Sequence, residues 1–307
     1  MNNSMYPNLS AHSRVFIDEN LSKHTYIRIG GKAKYFIKVG SIIDLKKLLS
    51  WVKSKNIPYI ILGAGSNVLV DDDGWNGLVI SFKDSMNNLQ VKQNKIVAGS
   101  GVMLPKLSKV AQKHSLAGLE FAIGIPGTLG GALYSNAGIS NVDQISKIIK
   151  NVTVLRDSKL LTIDLENIKF DYRYSSLKEN CEIIVEAELS LSLENQEIID
   201  KKMQCIMQYR KLTQPASTKN AGSIFKNPAD KSAGKLIEEA NLKGVQIGGA
   251  MVSSKHSNFI VNEKNATAKD VADLMMIIQN KVYENTGILL QPEVEWLGNK
   301  KIPNIFQ

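Results

Sequence analysis

Residues 118–138 read GLEFAIGIPGTLGGALYSNAG, a segment holding six glycines and one proline. That density asks for a reason beyond looping. Glycine permits positive φ and close approach of another backbone or a ligand. At the centre of the block, Thr128, Gly130 and Gly131 form an anion-binding candidate; tight packing turns are the alternative reading.

Two further glycine-rich stretches lie upstream. Leu62-Gly63-Ala64-Gly65-Ser66-Asn67 directly follows the apolar YII run. Two glycines and a serine there can leave successive backbone N–H groups free to cradle an anion. Asn67 either ties down the turn or binds a phosphate oxygen, and an ordinary strand–turn–strand remains open. The other stretch is Arg28-Ile29-Gly30-Gly31. No GxGxxG stands between a strand and a helix, and no Walker A lysine occurs, which argues against Rossmann and P-loop sites. Three separate anion candidates suit a large diphosphate cofactor better than a small substrate.

The surrounding pattern is mixed. YFIKV (35–39) reads as a strand. Ser41 and Asp44 form a capping box, and Leu45, Leu48, Leu49 and Val52 follow at helical spacing. YIIL, VLV and LVISF are further strands. Residues 96–111 offer a strand, a Gly-Ser-Gly turn and a helix with Pro105 in its first turn. In 183–193, Ile183, Val185, Ala187, Leu189, Leu191 and Leu193 alternate with polar residues, as in a half-buried strand. Ile199, Met203, Ile206 and Met207 make a helical stripe that reads as core. KLTQPASTKN (211–220) reads as a linker. Thr267 and Asp270 cap a helix striped by Val271, Leu274, Met275, Ile278 and Val282, with Gly287 as its stop. LLQPEVEWLG is the last strand.

The chain has 307 residues, enough for two or three domains, and a formal charge of +9. Its lysines are spread along the chain without a basic run or interleaved aromatics, so no nucleic-acid partner is expected. The charge suits an anionic substrate and cofactor, or only a positively biased surface. No apolar run approaches the roughly eighteen residues of a membrane span. The first residues lack the basic start and apolar block of a secretory signal, so a cytoplasmic location is expected. Cys181 and Cys205 have no CxxC spacing, the histidines have no ligand spacing, and no metal site is expected.

Several polar residues are candidates for chemistry. Arg173, between Tyr172 and Tyr174, could pair with a carboxylate or be solvated. Ser223, in AGSIFKNP, has small residues before it and Lys226 after it, without a GxSxG elbow. Glu293 follows Pro292 and points into a site or to solvent. His256 reads as a general base or as a structural histidine. Its neighbour Lys255 is the better phosphate contact.

In order and spacing, eight motifs resemble the UDP-N-acetylenolpyruvoylglucosamine reductase family from about Lys23 to Gly298. They are TYIRIGG, LGAGSNVLV, GLEFAIGIPGTLGGALYSNAG, DYRYS, AGSIFKNP, AGKLIEEANLKG, IGGAMVSSKHSNFIVN and PEVEWLG. The resemblance implies an α+β, three-domain FAD-binding fold of the vanillyl-alcohol-oxidase/PCMH-like type with a separate α+β substrate domain. Residues 1–82 and 288–307 would form the first FAD-binding domain, 83–212 the second, and 213–287 the substrate domain. The shorter type of the family, without an extra tyrosine-bearing substrate loop, is implied.

The resemblance further implies FAD as cofactor, NADPH as co-substrate and UDP-N-acetylglucosamine enolpyruvate as substrate, with UDP-N-acetylmuramate formed for peptidoglycan. Arg173, Ser223 and Glu293 would be catalytic. Arg28, Gly30, Gly31, the run Leu62, Gly63, Ala64, Gly65, Ser66 and Asn67, and Thr128, Gly130 and Gly131 would hold the cofactor. Tyr172, Lys226, Asn227 and Lys255 would contact substrate. No metal, membrane, nucleic acid or obligate protein partner is implied. The chain departs from the family pattern at Ile139-Ser140-Asn141, at Lys219-Asn220 and at Glu295, where an arginine is usual. The competing expectations are another FAD oxidoreductase on the same scaffold, and a reductase-like protein without activity.

Overall fold

The computed structural model describes residues 6–140, 142–179, 182–215, 218–299 and 302–306. A four-stranded sheet has the order Arg14–Asn20, Lys32–Lys38, Trp75–Ser81, Tyr59–Leu62. Its last pair is parallel, with Tyr59 opposite Leu78 and Leu62 opposite Ser81. Among the described residues, no helix is long and apolar enough to cross a membrane.

The chain divides into two compact units. The first comprises Met1–Phe16, Phe36–Ala64 and Leu78–Tyr209. Its centre is a five-stranded antiparallel sheet in the order Lys159–Asp164, Ile149–Arg156, Ile183–Ser190, Lys95–Gly99, Leu89–Lys92. Ala187 lies between Val152 and Ala98 in this register. The period-2 alternation buries Ala187 and Leu189 with Ile96, Ala98, Val152 and Val154. Helix α1 spans Ile42–Lys55, α2 Leu104–Lys113 and α3 Leu129–Ser135. Leu104 and Leu107 of α2 and Leu129 and Leu133 of α3 join the same core.

Several local expectations need correction in this unit. A register shift between Ile184 and Glu186 places Ile184, not Ile183 or Val185, in this core with Ala187, and Met207 of the expected core stripe is 48% exposed. The strand expected to run to Leu193 ends at Ser190, because Asn94 takes both backbone groups of Leu191. Leu191 N donates to Asn94 O at 2.9 Å, and Asn94 Nδ2 donates to Leu191 O at 3.2 Å. Ser192 and Leu193 then pair with Ala117 and Leu116 in a separate ribbon, which leaves Leu193 76% exposed. The capping box at Ser41 is made only in one direction. Ser41 Oγ accepts from Asp44 N at 3.1 Å, but the Asp44 carboxylate accepts instead from Ser10 N and Ser13 Oγ.

The second unit comprises Ile17–Tyr35, Gly65–Gly77 and Arg210–Gln307. Helix α4 spans Gln196–Thr213, so the expected linker begins only at Gln214; Ala216 and Ser217 lie outside the described residues. Helix α5 spans Ala233–Glu239 and α6 Ala268–Thr286. Both halves of the Thr267–Asp270 capping box form, and Gly287, at φ 70°, ends α6. Val271, Leu274, Met275, Ile278 and Val282 of α6 are buried with Ile224, Phe225, Leu290 and Val294. A small antiparallel sheet joins Gln246–Ile247, Ala250–Val252 and Ile260–Asn262.

The C-terminal strand is shorter than expected. Only Glu295–Leu297 form it, parallel to Val68–Val70, with Glu295 opposite Val68. The preceding residues pair elsewhere: Lys226 N donates to Gln291 O and Glu293 N to Ile224 O, each at 2.8 Å. Pro292, which has no N–H, occupies the bridge position opposite Phe225.

Candidate functional site

The turn at 63–67 has backbone donors to spare. Gly65 adopts φ +69°, and its carbonyl accepts from Tyr26 N at 2.8 Å. A Cβ on Gly65 would lie 2.0 Å from His24 O, so only glycine fits. Among the described residues, the N–H groups of Ala64, Gly65 and Ser66 donate to no protein acceptor, although Ala64 and Gly65 are buried. Buried amides in that state need an acceptor from outside the chain. Asn67 ties down the turn: its Nδ2 donates to Glu293 O at 3.0 Å.

In the first unit, Gly63 sits against the glycine block, since its Cβ would meet Thr128 Oγ1 at 2.8 Å. Thr128 caps α3, accepting from Gly131 N at 3.3 Å. Gly130 packs on Ser100: its N donates to Ser100 O at 2.9 Å, and a Cβ would meet Ser100 Cβ at 2.9 Å. The Ser100 hydroxyl is buried and has no hydrogen-bond partner among the described residues. At Gly131 an added Cβ would meet only Thr128 Oγ1, at 3.6 Å. Spare donors and glycine clearance are what a diphosphate cofactor requires, so these residues fit FAD.

Arg28, Gly30 and Gly31 are placed differently. Gly31 N donates to Asp71 O at 2.9 Å, and a Cβ there would stand 2.2 Å from Asp72 O. Gly31 allows the 71–74 turn to pack closely, and Gly30 packs against the Val70 side chain, 2.7 Å from where its Cβ would stand. Arg28, at φ 60°, directs Nη1 to Lys23 O at 2.8 Å.

Ser223 and Glu293 are brought together. The Ile224–Lys226 segment pairs with Gln291–Glu293, as described above. Gly222, at φ +79°, places a would-be Cβ 3.9 Å from Ser66 O. Turn 65–67, Ser223 and Glu293 are therefore neighbours within the second unit. Ser223 is half-buried, and its hydroxyl has no hydrogen-bond partner among the described residues. Glu293 is half-buried as well. The side chain of Lys226 is half-buried. Asn227 Oδ1 accepts from Ala233 N, the first amide of α5, at 3.0 Å, while Ser232 caps that helix. The Lys255 ammonium donates to Lys211 O near the end of α4.

Arg173, in the first unit, occupies a two-residue hairpin turn in which Asp171 pairs with Tyr174. Its φ of 54° is unusual for a non-glycine residue. The guanidinium lies 5.0 Å from the Tyr172 ring centroid, and Nη2 donates to Gly138 O at 3.1 Å. Buried Asn136 donates to Asp171 O at 2.9 Å, and Ser175 Oγ to Tyr134 O at 3.1 Å. The end of the glycine block thus holds the hairpin that carries Arg173.

His256 has a structural environment. Its Nδ1 accepts from Asn258 N at 3.2 Å, and its ring packs edge-on against Phe259. Burial, then the positive charge of Lys243, lowers its pKa against an opposing pull from Glu238. At the departures from the family pattern, Asn220 Oδ1 accepts from Gly222 N at 2.9 Å, Glu295 is exposed on its strand, and Asn141 lies outside the described residues. Asn136 and Asn258 were not singled out by sequence; each follows a serine, in LYSNAG and KHSNFI, and nothing local marks its amide as paired.

Residues 33–162 match the family described as FAD binding domain, and residues 214–297 the C-terminal domain of UDP-N-acetylenolpyruvoylglucosamine reductase. The UDP-N-acetylenolpyruvoylglucosamine reductase of Caldanaerobacter subterraneus is 42% identical over 288 residues, covering 94% of this chain and 95% of that protein. That of Streptococcus mutans is 41% identical over 287 residues, covering 93% of each. The crystal structure of the Thermus caldophilus enzyme superposes with a TM-score of 0.79 at 33% identity, covering 93% of this chain and 98% of that one. Fold and site define a flavin-dependent reductase with an FAD-binding domain. The chain belongs to the UDP-N-acetylenolpyruvoylglucosamine reductase family.

Proposed function

We propose that the protein uses NADPH to reduce UDP-N-acetylglucosamine enolpyruvate to UDP-N-acetylmuramate, a peptidoglycan precursor, with Arg173, Ser223 and Glu293 as its catalytic residues. The observation that carries the reading is the bond from Glu293 N to Ile224 O, which brings Glu293 next to the segment that follows Ser223, near the 65–67 turn. Leu62, Gly63, Ala64, Gly65, Ser66 and Asn67, with Thr128, Gly130 and Gly131, would hold FAD. Arg28, Gly30 and Gly31 would support that cradle. FAD, when bound, accepts a hydride from NADPH and supplies it to the methylene carbon of the enolpyruvyl group.

The hydride's arrival pushes the alkene electron pair onto the adjacent carbon and its carboxylate as an enolate. Arg173 neutralises that charge, an interaction stronger in the transition state than in the ground state. The Ser223 hydroxyl then delivers its proton to the enolate carbon. A serine is a weak acid, so it needs a strongly basic acceptor and positive surroundings, to which Lys226 contributes. Glu293 hydrogen-bonds the same group and helps manage its proton. Tyr172, Asn227 and Lys255 contribute to binding the substrate.

The proposal keeps the three-domain division at 1–82 with 288–307, 83–212 and 213–287, supported by the pairing of the C-terminal strand with Val68–Val70. A cytoplasmic location fits a nucleotide-linked substrate. The test is anaerobic spectroscopy: NADPH should bleach the flavin, and the enolpyruvyl sugar nucleotide should restore its colour with formation of UDP-N-acetylmuramate. A flavin that NADPH leaves oxidised, or that the nucleotide leaves reduced, would contradict the assignment.

A further inference from the structure

We propose that Asn258 is a positioning residue that sets the Ser223 hydroxyl for proton delivery. The inference rests on Ser223 acting as the proton donor. Asn258 is 4% exposed, and both ends of its amide face the backbone of Phe225. Oδ1 accepts from Phe225 N at 3.0 Å and Nδ2 donates to Phe225 O at 2.8 Å. Its own carbonyl accepts from Ile224 N at 2.9 Å. The side chain thus acts as a missing neighbouring strand for Phe225, while the Asn258 main chain holds Ile224. Only Asn and Gln carry an amide's donor and acceptor on one side chain.

The opposite edge of this segment is held by Glu293 N on Ile224 O and by Lys226 N on Gln291 O. Asn258 and the Gln291–Glu293 segment therefore clamp Ile224–Lys226 from two sides, while Ser223 stands just outside the ladder. Among the described residues its hydroxyl has no partner to hold it, so its position is inherited from Ile224 and from Gly222. Fully satisfied buried polar contacts specify one arrangement. A weak acid needs that, because small misplacement of a reacting group lowers rate steeply.

The test compares Asn258→Asp and Asn258→Ser with the wild-type holoenzyme. The aspartate keeps an acceptor for Phe225 N and loses the donor to Phe225 O; the serine is neutral but too short to span both. FAD content, flavin reduction by NADPH, substrate-driven reoxidation, its solvent deuterium isotope effect and amide exchange are measured. We expect near-wild-type FAD content and flavin reduction. Reoxidation should slow by on the order of tenfold or more with a larger isotope effect, since misplacement can cost about a hundredfold. Loss of exchange protection should be confined to Ile224–Lys226. Both half-reactions falling together at an unchanged isotope effect would overturn the proposal, as would unaltered reoxidation. If neither variant folds with FAD, Asn258 serves the fold alone and the proposal fails. Ser223→Ala run in parallel separates the two ideas: reoxidation at the wild-type rate there removes Ser223 itself, whereas a slow Ser223→Ala beside normal Asn258 variants removes only the positioning role.

Discussion

The side-chain amide of Asn67 donates to the carbonyl of Glu293, 226 residues further along the chain, at 3.0 Å. A turn with spare amide donors is thereby tied to a residue proposed to act on substrate. Glu295 N returns a bond to Asn67 O at 3.0 Å, so the tie is double. Asn67→Ala removes the first bond and leaves the Glu293 carbonyl half-buried. The expected loss is about 1 kcal/mol of stability, with weaker FAD binding and slower substrate-driven reoxidation. Urea titration and stopped-flow absorbance check this; unchanged stability and turnover would count against it.

Gly65 is the position where flavin retention is most exposed to substitution. Gly65→Val would place a β-branched side chain at φ +69° with its Cβ against the His24 carbonyl. The backbone conformation alone costs about 1–3 kcal/mol, and a backbone oxygen cannot swing aside. The purified variant is expected to keep its far-ultraviolet dichroism and lose most of its flavin absorbance per chain. A folded, fully yellow variant would remove this turn from the cofactor site.

Much of this arrangement was legible in the sequence because its signals are local. The Thr267–Asp270 box and the alternation from Ala187 to Ser190 depend on neighbours a few residues apart. What escaped depends on distant partners. Asp44 turns away from its cap because Ser10 and Ser13 supply donors. Leu191 leaves its strand because Asn94 claims its backbone. The motifs pointed to Ser223 and Glu293, but the ladder joining them spans segments nearly seventy residues apart. Asn258 becomes conspicuous only once its burial is known, since an amide at the end of the polar run SSKHSN carries no local mark of being paired.

His256 gives a pH dependence with a definite sign. Burial, followed by the charge of Lys243, lowers its pKa from the ordinary 6.5. The unfolded chain therefore binds the proton more readily than the folded one, and stability rises with pH through this window. The contribution is fully present above pH 6.5 and is lost as pH falls below it. Protonation of Nδ1 would also remove the acceptor for Asn258 N. The urea midpoint of the wild type should fall more between about pH 7.5 and pH 5.5 than that of His256→Gln, given the usual histidine range. Parallel falls in the two proteins would refute the assignment.

The central claim is that Ser223 supplies the proton that completes reduction of the enolpyruvyl group. Its hydroxyl is half-buried, has no partner among the described residues, and stands beside Ile224, which pairs with Glu293. A proton donor acts only after the flavin has been reduced. Ser223→Ala should therefore retain FAD and be reduced by NADPH at close to the wild-type rate. Its reoxidation by the enolpyruvyl sugar nucleotide should slow by roughly 10²–10⁴-fold, the usual range for general acid catalysis. Were the hydroxyl only a structural feature of the turn after Gly222, the variant would lose some stability and reoxidise nearly normally. Anaerobic stopped-flow measurement of the two half-reactions is the most direct test: slow reoxidation after normal reduction is the predicted result, and reoxidation at the wild-type rate would contradict the account.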